Sequence, residues 1–419
     1  MKFFFTCLFI ALYLIRPFEF LPVLYGSPIL LICGCLGLLS VVFSAINGQT
    51  KWCETDTFMF GFFVAILFSH ASHFYLGGVV TSFEKFLPIF LGYFLVSCSI
   101  TTRKQVIIVC YLIVICTCFI AVEGYLEYNR GISYFGVQPL LQNFSVDGER
   151  LVQTRIKWLG PFSDPNDLVM LLVVPIPFLL ARFKQSKIIS VLAGVLLTVG
   201  IFYTNSRGGM LSLFVAISVY FVLRYRNKTG LIIGAFLGVI VLVLGPSRVG
   251  QISAGEGSAY GRLEAWYQGF QMFKDNPLFG VGMGMFTDFN ELTAHNSFVL
   301  VMAELGLFGL FFFTGLFWIP LKKLKVLIWG ELRNNLAIDD VALLSSLAAS
   351  LAAVMAAMFF LSRSYILLPY LLIALIIRLV YRYDPIGAVA LPNSKTSKEI
   401  VLITVLGIVG VNIVIKVLL

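Results

Sequence analysis

A chain of 419 residues with 59% hydrophobic and only 12% charged side chains is too apolar for a water-soluble fold, because soluble domains carry about 25% charged residues. Its net charge of +9 would suit nucleic acid, yet most Lys and Arg sit in short connectors between apolar runs, where membrane topology explains them better. Lipid is the expected solvent.

In chain order, apolar runs of about 17–25 residues recur, the length a helix needs to cross hydrocarbon. The period-2 alternation of a membrane barrel is absent. The expectation is an all-α, polytopic helical membrane protein of 12–13 transmembrane helices, one integral-membrane domain over residues 1–419. The opening "MKFFFTCLFIALYLI" resembles a signal peptide but has no small-x-small cleavage site before the next span, so it is read as an uncleaved first helix. The thirteen expected spans run at about 3–24, 28–46, 57–75, 84–100, 105–124, 167–183, 187–204, 208–224, 230–246, 296–320, 340–361, 364–381 and 399–418. Of the eight cysteines, Cys53 lies in a connector and the others in spans. They are read as small buried hydrophobes; the pairs at 33/35 and 116/118 lack zinc spacing.

Two connectors are long, at about 125–166 and 247–295. The second contains "GRLEAWYQGFQMFKDNPLFG". Trp266, Phe270 and Phe273 recur there at helical spacing, which predicts an amphipathic helix near the membrane surface, ended by Asn276-Pro277. With the N-terminus in the cytoplasm, the even-numbered connectors collect the basic residues: Lys51; Arg103 and Lys104; Arg182, Lys184 and Lys187; Arg224, Arg226 and Lys228; Lys322, Lys323, Lys325 and Arg333; Arg382, Lys395 and Lys398. That bias sets the orientation and puts both long connectors on the outer side.

Some arginines break the sorting. Arg207 in "YTNSRGG", Arg363 in "FLSRSY" and Arg16 in "LIRPF" stand at outer helix ends, and Arg155 and Arg262 lie in the long outer connectors. A charge near hydrocarbon costs roughly 2.5–3.5 kcal/mol on insertion scales, and the guanidinium fork suits phosphate oxygens. Several aimed at one outer cavity would clamp a diphosphate. Arg207, Arg262 and Arg155 are the candidates; Arg16 and Arg363 are read as snorkelling or pairing with a helix end. His295, in "LTAHNSFVLVMAELG", stands with Asn296 at the mouth of an apolar run on the same side. The bland reading is an interfacial or capping residue. The sharper one is a general base, because imidazole titrates near neutrality.

Other residues carry less. Glu304 lies about 13 Å down the helix from His295, roughly on the opposite face, and is expected to pair inside the bundle. "GVGMG" at 280–284 has phosphate-loop glycines, but no strand precedes it and no Lys-Ser/Thr follows. It is read as a tight turn back to the membrane. In "GPFSDPNDL", Asn166 or Asp167 is expected to cap a helix, with substrate contact open to Asn166. No His/Asp/Glu cluster has metal spacing, so no metal is expected.

"GPFSDPN", "TNSRGG" and above all "GRLEAWYQGFQMFKDNPLFGVGMGMF…AHNSFVLVMAELGLFGLFFF" resemble the O-antigen ligase and polymerase superfamily of bacterial envelopes, over about residues 155–320. The resemblance implies a multi-pass glycosyltransferase of the bacterial inner membrane, N-terminus cytoplasmic, with its active site facing the periplasm. It implies a donor glycan on undecaprenyl diphosphate and an acceptor hydroxyl on a lipid A–core sugar, as in ligases, or on another lipid-linked repeat unit, as in polymerases. Neither nucleotide sugar nor metal is implied, and no nucleic acid. The family's functional arginines match Arg207 and Arg262, its histidine matches His295, and Arg155 is a looser match; Asn166 and Asn296 join them as substrate-binding candidates. The rival readings are a lipid-linked glycan transporter and a scaffold for envelope polysaccharide assembly proteins.

Overall fold

The computed structural model describes residues 1–46, 52–146, 149–226, 232, 233, 236, 252–383 and 393–419. The expected span at about 230–246 lies outside the described residues apart from those three positions, and so do Lys51 and Lys228 of the basic connectors. The described helices of seven residues or more are α1 (Lys2–Ile15), α2 (Ile29–Ile46), α3 (Glu54–Ala71), α4 (Leu76–Ser99), α5 (Arg103–Arg130), α6 (Pro165–Val173), α7 (Ile176–Arg182), α8 (Lys187–Tyr203), α9 (Arg207–Tyr225), α10 (Ile252–Asp275), α11 (Ser297–Trp329), α12 (Ile338–Met358), α13 (Leu367–Tyr383) and α14 (Ser394–Leu418). Among the described residues, eight segments are long and apolar enough to span a membrane, counting Pro165–Arg182 as one, and α1 and α8 are shorter apolar helices. The chain is a polytopic helical membrane protein.

Several boundaries differ from expectation: α4 begins at Leu76 rather than near residue 84, and α11 runs on to Trp329 rather than ending near 320. The first helix stops at Ile15 rather than near residue 24, because Arg16 turns left-handed (φ 58°) and Pro17 follows it. A proline supplies no N–H to continue the ladder. The first long connector is not wholly irregular: Leu140–Val146 (β1) pairs antiparallel with Glu149–Arg155 (β2), Leu140 opposite Arg155.

The described chain divides into two compact units. One comprises Met1–Gly37, Ile100–Gln251 and Leu324–Ala357. Here α5 packs against α1 and α8, and α6 and α7 pack against α8 and α9. Prolines 175 and 177 interrupt the ladder between α6 and α7. The Val174 carbonyl is taken by the Ser350 hydroxyl at 2.7 Å, which spares an unsatisfied acceptor in hydrocarbon. Buried carboxylates near the end of α5 hold the connector that carries the hairpin. Glu123 accepts from the Phe135 N–H (3.3 Å) and Glu127 from that of Lys157 (3.1 Å). Trp158, 1% exposed, donates to the Leu14 carbonyl at 3.1 Å.

The other unit comprises Leu38–Ser99, Ile252–Lys323 and Met358–Leu419. In it α4 packs against α3 and α13, and α10 against α14. Phe62, Phe86, Tyr365 and Tyr370 form a continuous aromatic core with ring centroids 5.6–6.4 Å apart. Helices in lipid gain little by hiding apolar surface from one another, so close packing and polar bridges hold them. The strongest bridge is an ion pair. Arg378 of α13 meets Asp56 of α3 at 2.8 Å, and Tyr93 (3.0 Å) and Ser97 (2.5 Å) of α4 donate to the same carboxylate. Asp56 is fully buried.

Candidate functional site

Each unit contains one corner where the sequence candidates gather. In the first unit the corner is built where β2, α6 and α9 meet. The Ile156 N–H bonds the Tyr203 carbonyl at 3.1 Å, and the Asn205 side chain, on left-handed backbone (φ 49°), donates to the Thr154 carbonyl at 3.0 Å. The hairpin is thereby stitched to the α8–α9 turn. Arg155, 9% exposed, then spreads its fork over the corner: Nε to the Thr204 carbonyl (2.9 Å), Nη2 to Asn166 Oδ1 (3.0 Å) and Nη1 to Gln142 Oε1 (3.3 Å). Asn166 Oδ1 also accepts from the Ser206 hydroxyl at 2.7 Å. Arg155 and Asn166 are thus engaged in shaping the corner.

The cap of α6 is Asp164, not Asn166 or Asp167. Its carboxylate accepts from the Asn166 N–H at 2.7 Å and the Asn166 amide at 2.9 Å. The reason is Pro165: a proline is tolerated at the first helical position, which makes the residue before it the cap.

Arg207 differs from its neighbours. It is the first residue of α9, after the cap Ser206, whose hydroxyl accepts from the Gly209 N–H at 3.2 Å. It is exposed and forms no side-chain hydrogen bond or ion pair among the described residues. A helix N-terminus carries partial positive charge and free N–H groups, so it favours an anion and disfavours a lone cation. A guanidinium held there without a carboxylate is well placed for a ligand's negative charge.

In the second unit α10 ends at Asp275 and buries Phe270 and Phe273, as the helical spacing of "WYQGFQMF" predicts. Trp266 packs edge-on against Phe359 (5.6 Å) and donates its indole N–H to the Ala294 carbonyl at 3.0 Å. Arg262 lies one turn earlier on that face, so the Trp266 bond brings its side of α10 against the turn bearing His295. Arg262 is half-buried with no ion pair among the described residues, and burial lowers its pKa from the ordinary arginine value.

His295 itself is held by its flanks. Thr293 bonds the Ser362 hydroxyl, Ser297 Oγ donates to the Leu361 carbonyl (2.6 Å) and accepts from the Arg363 N–H (2.9 Å), and Ser364 donates to the Ser297 carbonyl (2.9 Å). The His295 backbone is left-handed (φ 47°), which histidine tolerates better than most residues. Asn296 follows as the cap of α11, its side-chain oxygen accepting from the N–H groups of Phe298 (2.9 Å) and Val299 (3.2 Å). The Asn296 acceptor is therefore used by the helix, which leaves its amide N–H groups for other partners.

The helix that follows His295 contains a break. Gly306 takes φ 61°, ψ −159° inside α11. Groups freed by the break are paired with the turn at 277–282: Val281 and Gly282 N–H to the Ala303 and Glu304 carbonyls (3.0 and 2.9 Å), and Leu307 and Phe308 N–H to the Pro277 and Leu278 carbonyls (2.8 and 3.0 Å). A Cβ on Gly280 would fall 2.2 Å from the Glu304 carbonyl carbon, so only glycine fits. Glu304 does pair inside the bundle, accepting from the Tyr365 hydroxyl at 2.7 Å. Sequence reasoning missed two supports: His73 bonds the Gly280 carbonyl (2.8 Å) and His70 that of Met283 (3.1 Å). Nothing local marks them, since the partners are more than 200 residues away in sequence.

Fold and corners together define a polytopic helical membrane protein with exposed or half-buried arginines at helix-start and connector positions. Residues 192–314 match the family described as O-Antigen ligase. No curated protein matches the chain. Arg207, Arg262, His295 and Asn296 fall inside the matched stretch; Arg155 and Asn166 fall outside it.

Proposed function

We propose that the protein is an O-antigen ligase-like glycosyltransferase of the bacterial inner membrane, moving a glycan from undecaprenyl diphosphate to an acceptor hydroxyl on the periplasmic side. One observation carries the reading: inside the family-matched stretch, Arg207 and Arg262 have no protein anion among the described residues, whereas Arg155, Arg378 and Arg16 are engaged by their own fold. In this reading Arg262, on the helix latched to the His295 turn, binds diphosphate oxygens, and Arg207 is an anion-binding candidate within its own unit. Diphosphate is already a good leaving group, so fixed cations that neutralise its developing charge suffice. The acceptor hydroxyl is the poor partner. His295 takes its proton as the oxygen attacks the anomeric carbon, the C–O bond to diphosphate breaks, and the centre inverts. Asn296, adjacent on a rigid helix cap, is a donor for substrate hydroxyls. Arg155 and Asn166 act through the corner that presents Arg207. No metal or cofactor has a role in this scheme.

The test is reconstitution: full-length protein in vesicles, a lipid-diphosphate glycan donor and a lipid A–core acceptor. The reading expects sugar on the acceptor. Lipid-linked glycan that crosses the vesicle without joining would favour a transporter, and cellular function surviving loss of His295 and Arg207 would favour a scaffold. A polymerase is the nearest alternative, and deleting the gene separates the two. Loss of long chains from lipid A–core with lipid-linked polymer accumulating means ligase; single repeats in place of polymer mean polymerase.

A further inference from the structure

A second region of the first unit carries a site of different character. Between α5, α7, α8 and α12 lies a cavity of about 280 Å³. Its walls are apolar, with Ile107, Val114 and Ile115 from α5, Phe178 and Leu179 from α7, and Ile189 from α8. Ile115 and Ile189 are 65% and 63% exposed, so the groove opens sideways toward the lipid that surrounds these spans. The charged groups of the lining gather at one end, where α5 begins, α7 ends, and α8 and α12 begin. From Arg103 to Ile115 the groove follows α5 for about 18 Å at 1.5 Å per residue. That is close to half of a hydrocarbon core about 30 Å thick. The groove therefore has the length of one leaflet, with its polar end at the headgroups.

The polar end is not electrically balanced. Arg103 is paired with Asp340, and Asp339 accepts from Gln185 at 3.1 Å. Arg182 meets no carboxylate among the described residues. Its Nε donates to the Tyr111 hydroxyl at 3.0 Å, which fixes the guanidinium in the groove lining, and its Nη groups have no hydrogen-bond partner among the described residues. Lys184 and Lys187 stand exposed in the same connector. A guanidinium fork beside two ammonium groups suits a phosphodiester, and such basic clusters at a span's end attract anionic lipid.

We propose that this groove seats one acyl chain of an anionic phospholipid, with its phosphate on Arg182 and beside Lys184 and Lys187. Asp339 sets the limit on headgroup charge, because a second carboxylate-like group reaching α12 would be repelled. The site is independent of glycosyl transfer.

The experiment uses full-length protein reconstituted in nanodiscs of equimolar phosphatidylglycerol and phosphatidylethanolamine, re-extracted in neutral detergent, with retained lipid counted by mass spectrometry. Wild type should keep phosphatidylglycerol at least fivefold over phosphatidylethanolamine. Arg182→Ala should bring the ratio near one, and Ser190→Trp, which fills the groove, should lower retention of both lipids. Lys184→Ala with Lys187→Ala alters only exposed side chains, so folding is not at issue, and it should at least halve the enrichment. Equal retention of both lipids by wild type, or an unchanged preference in the double lysine variant or in a folded Arg182→Ala protein, would overturn the assignment.

Discussion

The two ends of α13 handle positive charge in opposite ways. At its C-terminal half Arg378 is buried against Asp56, and the hydroxyls of Tyr93 and Ser97 complete the carboxylate's bonds. Before its N-terminus the segment Leu361–Ser364 clasps the His295 turn, and there Arg262, on the helix latched to that turn, meets no carboxylate among the described residues. Both ends belong to the same unit and are built from the same apolar helices. The difference shows that this fold can neutralise a guanidinium when one serves packing. In the proposed reading, a guanidinium with no carboxylate among the described residues, on elements held this firmly, is a place for an anion from outside.

If that contrast is sound, the variants should separate by property. The largest effect on folding belongs to the saturated end. Arg378→Leu leaves Asp56 buried and uncompensated and should cost about 3–5 kcal/mol, seen as loss of the monodisperse peak in detergent; adding Asp56→Asn should recover part of it. Gly280→Ala comes next. It forces a side chain onto left-handed backbone and into the Glu304 carbonyl, for roughly 1–3 kcal/mol, with transfer activity falling as the His295 helix shifts. Arg262→Lys should leave the melting temperature alone and lower kcat/KM about tenfold, or ~1.4 kcal/mol in the barrier, because an ammonium lacks the fork. An unchanged kcat/KM would put Arg262 with the structural arginines. Trp266→Phe keeps the ring against Phe359 but loses the bond to the Ala294 carbonyl, for about 0.5–1.5 kcal/mol, measured as a lower melting temperature.

The membrane character and most spans were legible because length and hydropathy act locally. Ile29–Ile46, Lys187–Tyr203 and Arg207–Tyr225 fall within a few residues of expectation. The helix over "WYQGFQMF" was legible from spacing alone. What stayed hidden depends on partners distant in the chain. The break at Gly306 lies inside what reads as a single span, and residues 277–282 supply its backbone bonds. The hairpin at 140–155 has short, mixed strands, and its outer end is secured by the α8–α9 turn rather than by its own pattern. For Arg155, sequence shows a charge without showing the acceptors around it, among them the Thr204 carbonyl and Asn166. Asp164 as cap could have been read from Pro165 beside it. Which arginines are satisfied is a three-dimensional property, and it is the one that sorts the candidates.

The most direct test compares His295→Ala with wild type in one experiment, measuring donor binding and single-turnover transfer on the same reconstituted protein. The account predicts donor affinity within about twofold of wild type and transfer slowed 10²–10⁴-fold, the usual worth of a general base. Transfer at the wild-type rate would contradict it, since the imidazole would then be only a neighbour of the helix cap.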